Sequence, residues 1–576
     1  MPLIIVESPT KAREIGHMLG RGYTVVASVG HVRDLPVKEM GVDLQTFEAS
    51  YVPTERGREV IAKIKKLVAE ADQVILATDP DREGESISWH LAQALKLPAA
   101  KTQRVTYHEI TERAVKEALA HPRKIDMALV QAQEARRVLD RLIGYRVSPK
   151  VCEMSGQKLS AGRVQTPALR LIVEREQAIR KHKVTNHFGA ELTLPDFKAT
   201  WERKPYLKEG EEYILDRKLA ESAAAVRDLV VKTSTVATQA RKAPAPFTTA
   251  ALLQAASSKL GMKSDEVMQA AQALFENKLI TYHRTDSVSL SPEAIEMIRA
   301  YAKSKGLPLP AKPNTFKAKQ ANAQEAHECI RPTDMANEQP RIGQREAQLY
   351  ALIHAQALAS QLADAQVEQT KLVLESTDGK FAYTAQGQKV LAKGFTEVLG
   401  EIEESAVPAL KQGSKIRATS GRVLEIATKA PSRYTDGSLN AELERKGIGR
   451  PATWAAILKG LRARGYIVDQ GKFIAATPLG EALVDSLRDC AFADYGYTAQ
   501  LEEGLDAISR GEATYKGVVS EANSEIDVDL QYVAYPQGGW PAAPAPSSRK
   551  GGGAARKSSS GARKSSYGKG APKKRS

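Results

Sequence analysis

Cysteine is nearly absent from this chain of 576 residues, with Cys152, Cys329 and Cys490 standing far apart and no C-x-x-C anywhere. Three scattered thiols exclude a disulfide framework and a Cys₄ zinc module, and they fit a reducing compartment. No apolar run reaches the ~18 residues that a membrane-spanning helix requires. The first residues, MPLIIVESPTKAREI, lack the basic start and small-residue cleavage site of a signal peptide, so a cytoplasmic protein is expected. No G-x-x-x-x-G-K-[ST] occurs, so nothing suggests a bound nucleotide. Aromatic residues are only 6% of the chain. No repeat of fixed period is present, which excludes a solenoid. Acidic residues are missing from 541–576, and that segment holds ten of the fifteen net positive charges, leaving five for the first 540 residues.

What is present is ordinary globular material. Hydrophobic residues make up 42%, and the length calls for several cores rather than one. The net charge of +15 favours a polyanionic partner, nucleic acid first. LIIVES, YTVVASVG and VILAT read as strands, with the helical PTKAREIGHML and ISWHLAQAL between and after them. That alternation predicts an α/β domain with a parallel sheet over residues 1–125, although 36–56 can belong to a neighbouring helical unit. Helical patterns at 126–182 and 434–532 bracket strand patterns at 183–246 and 366–433. Those strands in turn bracket a helical stretch at 247–365. The order predicts nesting: a helical unit inside a β-rich unit, itself inside another helical unit. Residues 533–576, rich in Pro, Gly, Ser, Lys and Arg, read as a disordered basic tail.

Two constellations carry chemistry. The first is TDPDREGE at 78–85, where Asp79, Asp81 and Glu83 follow a buried strand. Open α/β sheets place their sites at the carboxyl ends of strands. Three carboxylates this close repel unless a cation intervenes, and oxygen-only ligands suit Mg²⁺. The plainer reading is an acidic helix N-terminus facing solvent. Glu7 argues against it, because it ends the first strand as Asp79 ends another, and neighbouring strands would bring all four acids together. Lys11 follows one turn later. The second constellation is NKLITYHRTDS at 277–287. A tyrosine can attack a phosphodiester and conserve its energy as a phosphotyrosine. Arg284, two residues beyond Tyr282, can stabilise the charge that develops on phosphate.

Glu7 with the D-x-D segment resembles a Toprim domain, and ITYHRTDS resembles the active-site signature of type IA DNA topoisomerases. Further segments resemble the same family in the same order: VESPTKA (6–12), SVGHVRDLP (28–36), ARRVLDRLIGYRVSP (135–149), LSAGRVQTPALRLIVERE (159–176), QEAHECIRPTD (324–334) and LERKGIGRPATWAAIL (443–458). The match covers most of residues 1–530, and its N-terminus is closer to bacterial topoisomerase I than to the type III branch. The Cys₄ zinc modules of many bacterial relatives are missing.

The resemblance implies a toroidal clamp with a Toprim domain and nested helical and β-rich domains. It implies ATP-independent cleavage of one strand through a 5′-phosphotyrosine at Tyr282, strand passage and religation, which relaxes negatively supercoiled DNA. Arg284, Glu7, Lys11 and His327 are then expected to be catalytic. Asp79, Asp81, Glu83 and Glu7 are expected to bind Mg²⁺. His31, Arg33, Arg136, Asp140, Arg163, Gln165, Arg450 and Thr453 are expected along the strand, although Arg136 and Asp140, at i and i+4, could be no more than a surface ion pair. The expected partner is single-stranded DNA within underwound duplex, gripped by a monomer in the bacterial cytoplasm, at nucleoid or plasmid. Open alternatives are a decatenating role in the same class, a Toprim nuclease or primase, and a non-catalytic DNA-binding protein.

Overall fold

Leu3–Val6 is the second strand of a four-stranded parallel sheet, in the order Thr24–Ala27, Leu3–Val6, Val74–Leu76, Thr102–Arg104. Every residue of LIIV is buried. The strand needs an unbroken apolar run because both faces of the sheet are covered. Ile4, Val6 and Ile75 face one core, together with Ile15 of helix Pro9–Leu19. Leu3, Ile5, Val74 and Leu76 face the other, together with Ile64 of helix Glu55–Glu70 and Ile87 and Leu91 of helix Arg82–Leu95. The computed structural model describes residues 1–316 and 328–542 of the chain.

Two helix starts set the site. Ser8 accepts from Lys11 N at 3.2 Å, with Pro9 at the first helical position, so the first strand turns directly into a helix carrying Lys11 inward. Asp81 caps Arg82–Leu95, its carboxylate accepting from Gly84 N at 2.8 Å. Gly84 is forced by contact, since a Cβ there would lie 2.2 Å from the Asp79 carbonyl oxygen.

Helix Met127–Ser155 packs beside Arg82–Leu95 and against Tyr495–Ser509 and Tyr515–Tyr532. Residues 34–47 lean on the same assembly: Arg137 pairs with Asp34, Arg141 donates to the Pro36 and Glu39 carbonyls, and Tyr515 donates to that of Phe47. A seven-stranded antiparallel sheet has its own core of Leu192, Trp201, Leu229, Leu372 and Tyr383. Strand Asn186–Thr193 pairs with Ser420–Ala427, and Asp228–Arg241 pairs with Ala365–Ser376. The chain therefore enters and leaves the β-rich region on neighbouring strands. It enters and leaves the helices Thr249–Leu260, Ser264–Glu276, Pro292–Ser304 and Gln344–Ser360 in the same way. Residues 1–540 form one compact unit.

Four local expectations need correction. Arg217–Ala225 is a helix inside the stretch read as strands, capped by Asp216, with buried Ala220, Ala223 and Ala224 lying flat on the sheet. Ile467–Gln470 and Phe473–Ala476 form a hairpin inside the stretch read as helical, turned by Gly471 at φ 61°. The segment around Tyr282 is irregular backbone after helix Ser264–Glu276, tied to the 330 region by single bridges. Residues 533–540 are not a free tail: Val533 is buried, Ala534 N donates to the Ser486 carbonyl at 3.0 Å, and Trp540 packs on the main core. The tail expectation for 543–576 falls outside the described residues.

Candidate active site

Parallel pairing of Leu3–Val6 with Val74–Leu76 brings Glu7 and Asp79 together at the carboxyl edge of the sheet. Lys11 is completely buried and contacts both carboxylates. Burial and the neighbouring Asp79 push Glu7 up to about 8, although Lys11 opposes them. For Asp79, burial works against ionisation, but Lys11, Glu7 and Arg284 together outweigh it and hold the carboxyl below its ordinary range. The pair therefore favours a proton on Glu7 and a charge on Asp79.

The other two acids turn towards the tyrosine segment. Tyr282 is 2% exposed, and its hydroxyl donates to Asp81 Oδ2 at 2.6 Å. Its backbone N–H donates to the His108 carbonyl at 2.8 Å, which fixes the segment against the sheet unit. Phe275 meets its ring edge-on at 5.2 Å, and His283 does so at 5.4 Å. Burial, then Asp81 and Asp79, raise the phenol well above its ordinary value. Arg284 Nη1 bonds Glu83 at 2.7 Å and lies 3.7 Å from Asp81. His31 Nε2 is 3.9 Å from Glu83, and burial lowers its pKa.

A cavity of about 290 Å³ opens beside this cluster, between Asp81, Glu83 and Arg284 on one side and Arg136, Arg450 and Thr453 on the other. Thr453 Oγ accepts from Arg450 N at 3.1 Å, so GRPAT is a helix start that presents Arg450 to the cavity. The remaining candidates lie differently. Arg163 is enclosed: it bonds Asp140 at 3.1 Å and Glu502 at 2.6 Å and exposes none of its side chain. Asp140 thus serves Arg163, and the pairing with Arg136 envisaged from their spacing is not the one formed. Gln165 donates to the Ser160 carbonyl at 3.1 Å at the start of helix Gln165–Lys181. Arg33 is drawn to His90 at 3.0 Å, its guanidinium stacked near Trp89 and Tyr51. His327 lies outside the described residues.

Among the described residues, no three Asp, Glu, His or Cys side chains form a ready metal cage. The four acids divide into a Glu7–Asp79 pair on Lys11 and an Asp81–Glu83 pair on Tyr282 and Arg284. Their chemistry still fits Mg²⁺, which takes one or two carboxylates and keeps water and phosphate oxygens for its other positions. Glu7 Oε2, buried and accepting no hydrogen bond, offers a further donor atom when the carboxyl is ionised.

Three residues were not singled out from sequence. Arg82 sits unremarked inside TDPDREGE. Asp506 and Glu502 are two of many acids on amphipathic helices, and nothing local distinguishes them. Yet Asp506 contacts both Arg82 and Arg450, and Glu502 is wholly buried among Arg163, Arg136 and Arg450.

Known proteins resemble the chain over most of its length. Residues 2–110 match the Toprim domain, and residues 124–520 match the DNA topoisomerase family model. A protein of Xylella fastidiosa described as a plasmid DNA topoisomerase I is 44% identical, over 92% of this chain and 83% of its own length. DNA topoisomerase 1 of Aquifex aeolicus is 38% identical, over 91% of this chain and 98% of its own. The solved full-length topoisomerase I of Thermotoga maritima superposes with a TM-score of 0.84 at 32% identity, covering 92% of this chain and 90% of that one. The Toprim edge, the buried tyrosine facing it and these matches together place the chain in the type IA DNA topoisomerase family.

Proposed function

We propose that this chain relaxes underwound DNA by cutting one strand with Tyr282 and resealing it after strand passage. The observation that carries the reading is the Tyr282–Asp81 hydrogen bond at 2.6 Å, with Arg284 beside it. The Tyr282 hydroxyl oxygen forms a bond to phosphorus, and the bond from phosphorus to the 3′ oxygen breaks. Asp81 takes the phenolic proton, and Glu7, which holds a proton at neutral pH, supplies one to the departing 3′ oxygen. Arg284 faces the phosphate's growing charge, while Lys11, enclosed between Glu7 and Asp79, sets the charge of that pair. The product is a 5′-phosphotyrosine and a free 3′-OH, and the reverse steps reseal the strand. Bond energy is retained in the phosphotyrosine, so no nucleotide is consumed. Asp79, Asp81 and Glu83 are the residues that would hold Mg²⁺, with Glu7 able to join them once it has given up its proton. Bound Mg²⁺ supplies neutralisation and orientation of the phosphate.

Strand passage requires the tyrosine region to part from the Toprim region. The contacts across that seam are largely polar: Tyr282 with Asp81 and His108, Arg284 with Glu83, Lys278 with Glu14, and Arg331 with Glu109. Water can replace such contacts, as opening and closing demand. No helix among the described residues is long and apolar enough to cross a membrane. A monomer working at cytoplasmic DNA, nucleoid or plasmid, fits the reading.

Denaturant trapping during reaction with an end-labelled oligonucleotide should attach protein to the 5′ end of the cut. Tyr282→Phe should give no adduct. Attachment at the 3′ end, or an active Phe variant, overturns the assignment. Relaxation should stop in excess chelator and be indifferent to ATP.

A further inference from the structure

Asp506 lies on helix Tyr495–Ser509 at the back of the cavity and is 6% exposed. Its two oxygens are divided between two arginines: Oδ1 accepts from Arg82 Nη2 and Oδ2 from Arg450 Nη2. Arg82 opens the helix that follows the acidic loop, and Arg450 precedes the helix Pro451–Ala463. Both guanidiniums line the cavity that also holds Asp81 and Arg284. Two guanidiniums converging on two oxygens of one anion is how arginines grip a phosphodiester.

A carboxylate one turn earlier on the same helix shows what a permanent ion pair looks like in this protein. Glu502 and Arg163 expose none of their side chains and are out of reach of any ligand. Arg82 and Arg450 keep 14% and 28% of theirs open, on the cavity wall. Asp286 lines the same wall, so the cavity already holds several carboxylates beside its arginines, and an entering phosphate must displace one of them.

We propose that Arg82 and Arg450 form a seat for one backbone phosphate of the bound single strand, and that Asp506 is the anion that fills the seat until the strand arrives. The inference rests on reading the cavity as the strand groove. It adds to that reading a second arginine and an internal competitor. Asp506 keeps two cations paired near Asp81 and Glu83 while the groove is empty. It is released when a backbone phosphate, whose two non-bridging oxygens carry the same single charge and whose strand makes further contacts along the groove, takes both guanidiniums. A carboxylate that merely braces the arginines would instead make binding weaker when neutralised, so the sign of one measurement decides.

The test uses the full chain and a fluorescent single-stranded oligonucleotide in chelator, with anisotropy read across a salt series. Asp506→Asn should tighten binding by about fivefold, as expected for removal of one partly buried competing ion pair. Arg82→Gln should weaken binding and lower the salt slope by about 0.7, one single-strand phosphate contact. In the double variant Asp506→Asn with Arg82→Gln, the gain should vanish, because there is no seat left to vacate. Unchanged or weaker binding by Asp506→Asn, or a full gain in the double variant, overturns the proposal. If Asp506→Asn does not fold, Asp506→Ser removes the charge with less bulk and is read the same way. Adduct formation by the unmodified chain separates the two layers. No adduct with any oligonucleotide sinks the topoisomerase reading itself, whereas adduct without tightening sinks only the seat.

Discussion

Tyr282 and Asp81, 201 residues apart in sequence, share a hydrogen bond of 2.6 Å across the seam between the irregular tyrosine segment and the capping position of a Toprim helix. The bond couples closure to chemistry. Only when the seam is shut does the phenol have an acceptor, and the same burial and charge that hold it there keep its proton on. Asp81→Asn keeps the shape and removes the acceptor charge. Cleavage of an oligonucleotide should slow by about a hundredfold or more. Its affinity should hold or improve, since a negative charge has left the groove. Below about 8, where Glu7 keeps its proton, raising the pH should recover part of the rate in the variant, because hydroxide can then do what Asp81 did. A variant as fast as the parent at neutral pH would remove Asp81 from the proton path.

Glu7 is expected to work in its protonated form. Burial and Asp79 lift it to about 8, so the proton is present at pH 7 and is lost as pH rises through that value. Cleavage followed under single-turnover conditions should therefore decline on the alkaline side of about 8. Glu7→Gln, which can donate a hydrogen bond but not a proton, should lose about 10²- to 10⁴-fold and lose the alkaline limb with it. An alkaline limb that survives in the Gln variant would assign it to another group.

The acids of the first site could be read from sequence because each ends a short buried strand, and two such strands have few ways to pair. The register of Leu3–Val6 on Val74–Leu76 sets Glu7 level with Thr78, one residue short of Asp79, and Lys11 between them joins the two carboxylates. The nested order was legible for a similar reason: hydrophobic period changes from helical to alternating and back. What periodicity could not carry was the short and the long-range. Arg217–Ala225 is a nine-residue helix of small side chains with a weak pattern, and Ile467–Ala476 is a hairpin marked only by Gly471. Asp506 meeting Arg82 across 424 residues leaves no local trace at all. Nor did sequence reveal that Arg163 is enclosed, since an arginine in a motif looks the same whether it faces a strand or a buried glutamate.

Glu502 gives a stability prediction with a defined pH window. Burial alone would raise its pKa, but Arg163, Arg136 and Arg450 outweigh burial and hold it at about 2. An unfolded glutamate titrates near ~4.3. The folded state therefore binds fewer protons between these values. The associated stability is fully present above about pH 4.3 and is lost as pH falls towards the folded value. Glu502→Gln leaves Arg163 without its anion and should cost about 3 kcal/mol at neutral pH. Below pH 4.5 the difference in melting temperature between parent and variant should shrink. A constant difference from pH 7 to pH 3 would show that the carboxylate's charge is not what holds the arginines.

The basic tail should serve binding to long DNA and leave chemistry alone. Its ten cations lie after Pro541 with a single aromatic, Tyr567, so base stacking can contribute little and phosphate neutralisation should dominate. The cut that tests this must respect the fold. Trp540 packs on the main core and Val533 is buried, so a truncation at 532 would injure the body, whereas one after 542 removes only the charged segment. Every residue proposed to act on the scissile phosphate lies before position 335, and the Arg82–Arg450 seat also lies before the cut. The truncated chain should therefore cleave a short oligonucleotide at the parent's rate. On plasmid DNA its relaxation should become less processive, because nothing tethers the enzyme between successive strand passages. The slope of log affinity against log salt for long duplex should flatten by about 0.9 for each phosphate contact the tail had made. Loss of oligonucleotide cleavage would place part of the catalytic apparatus in the tail, and an unchanged salt slope would leave the tail without a role in holding DNA.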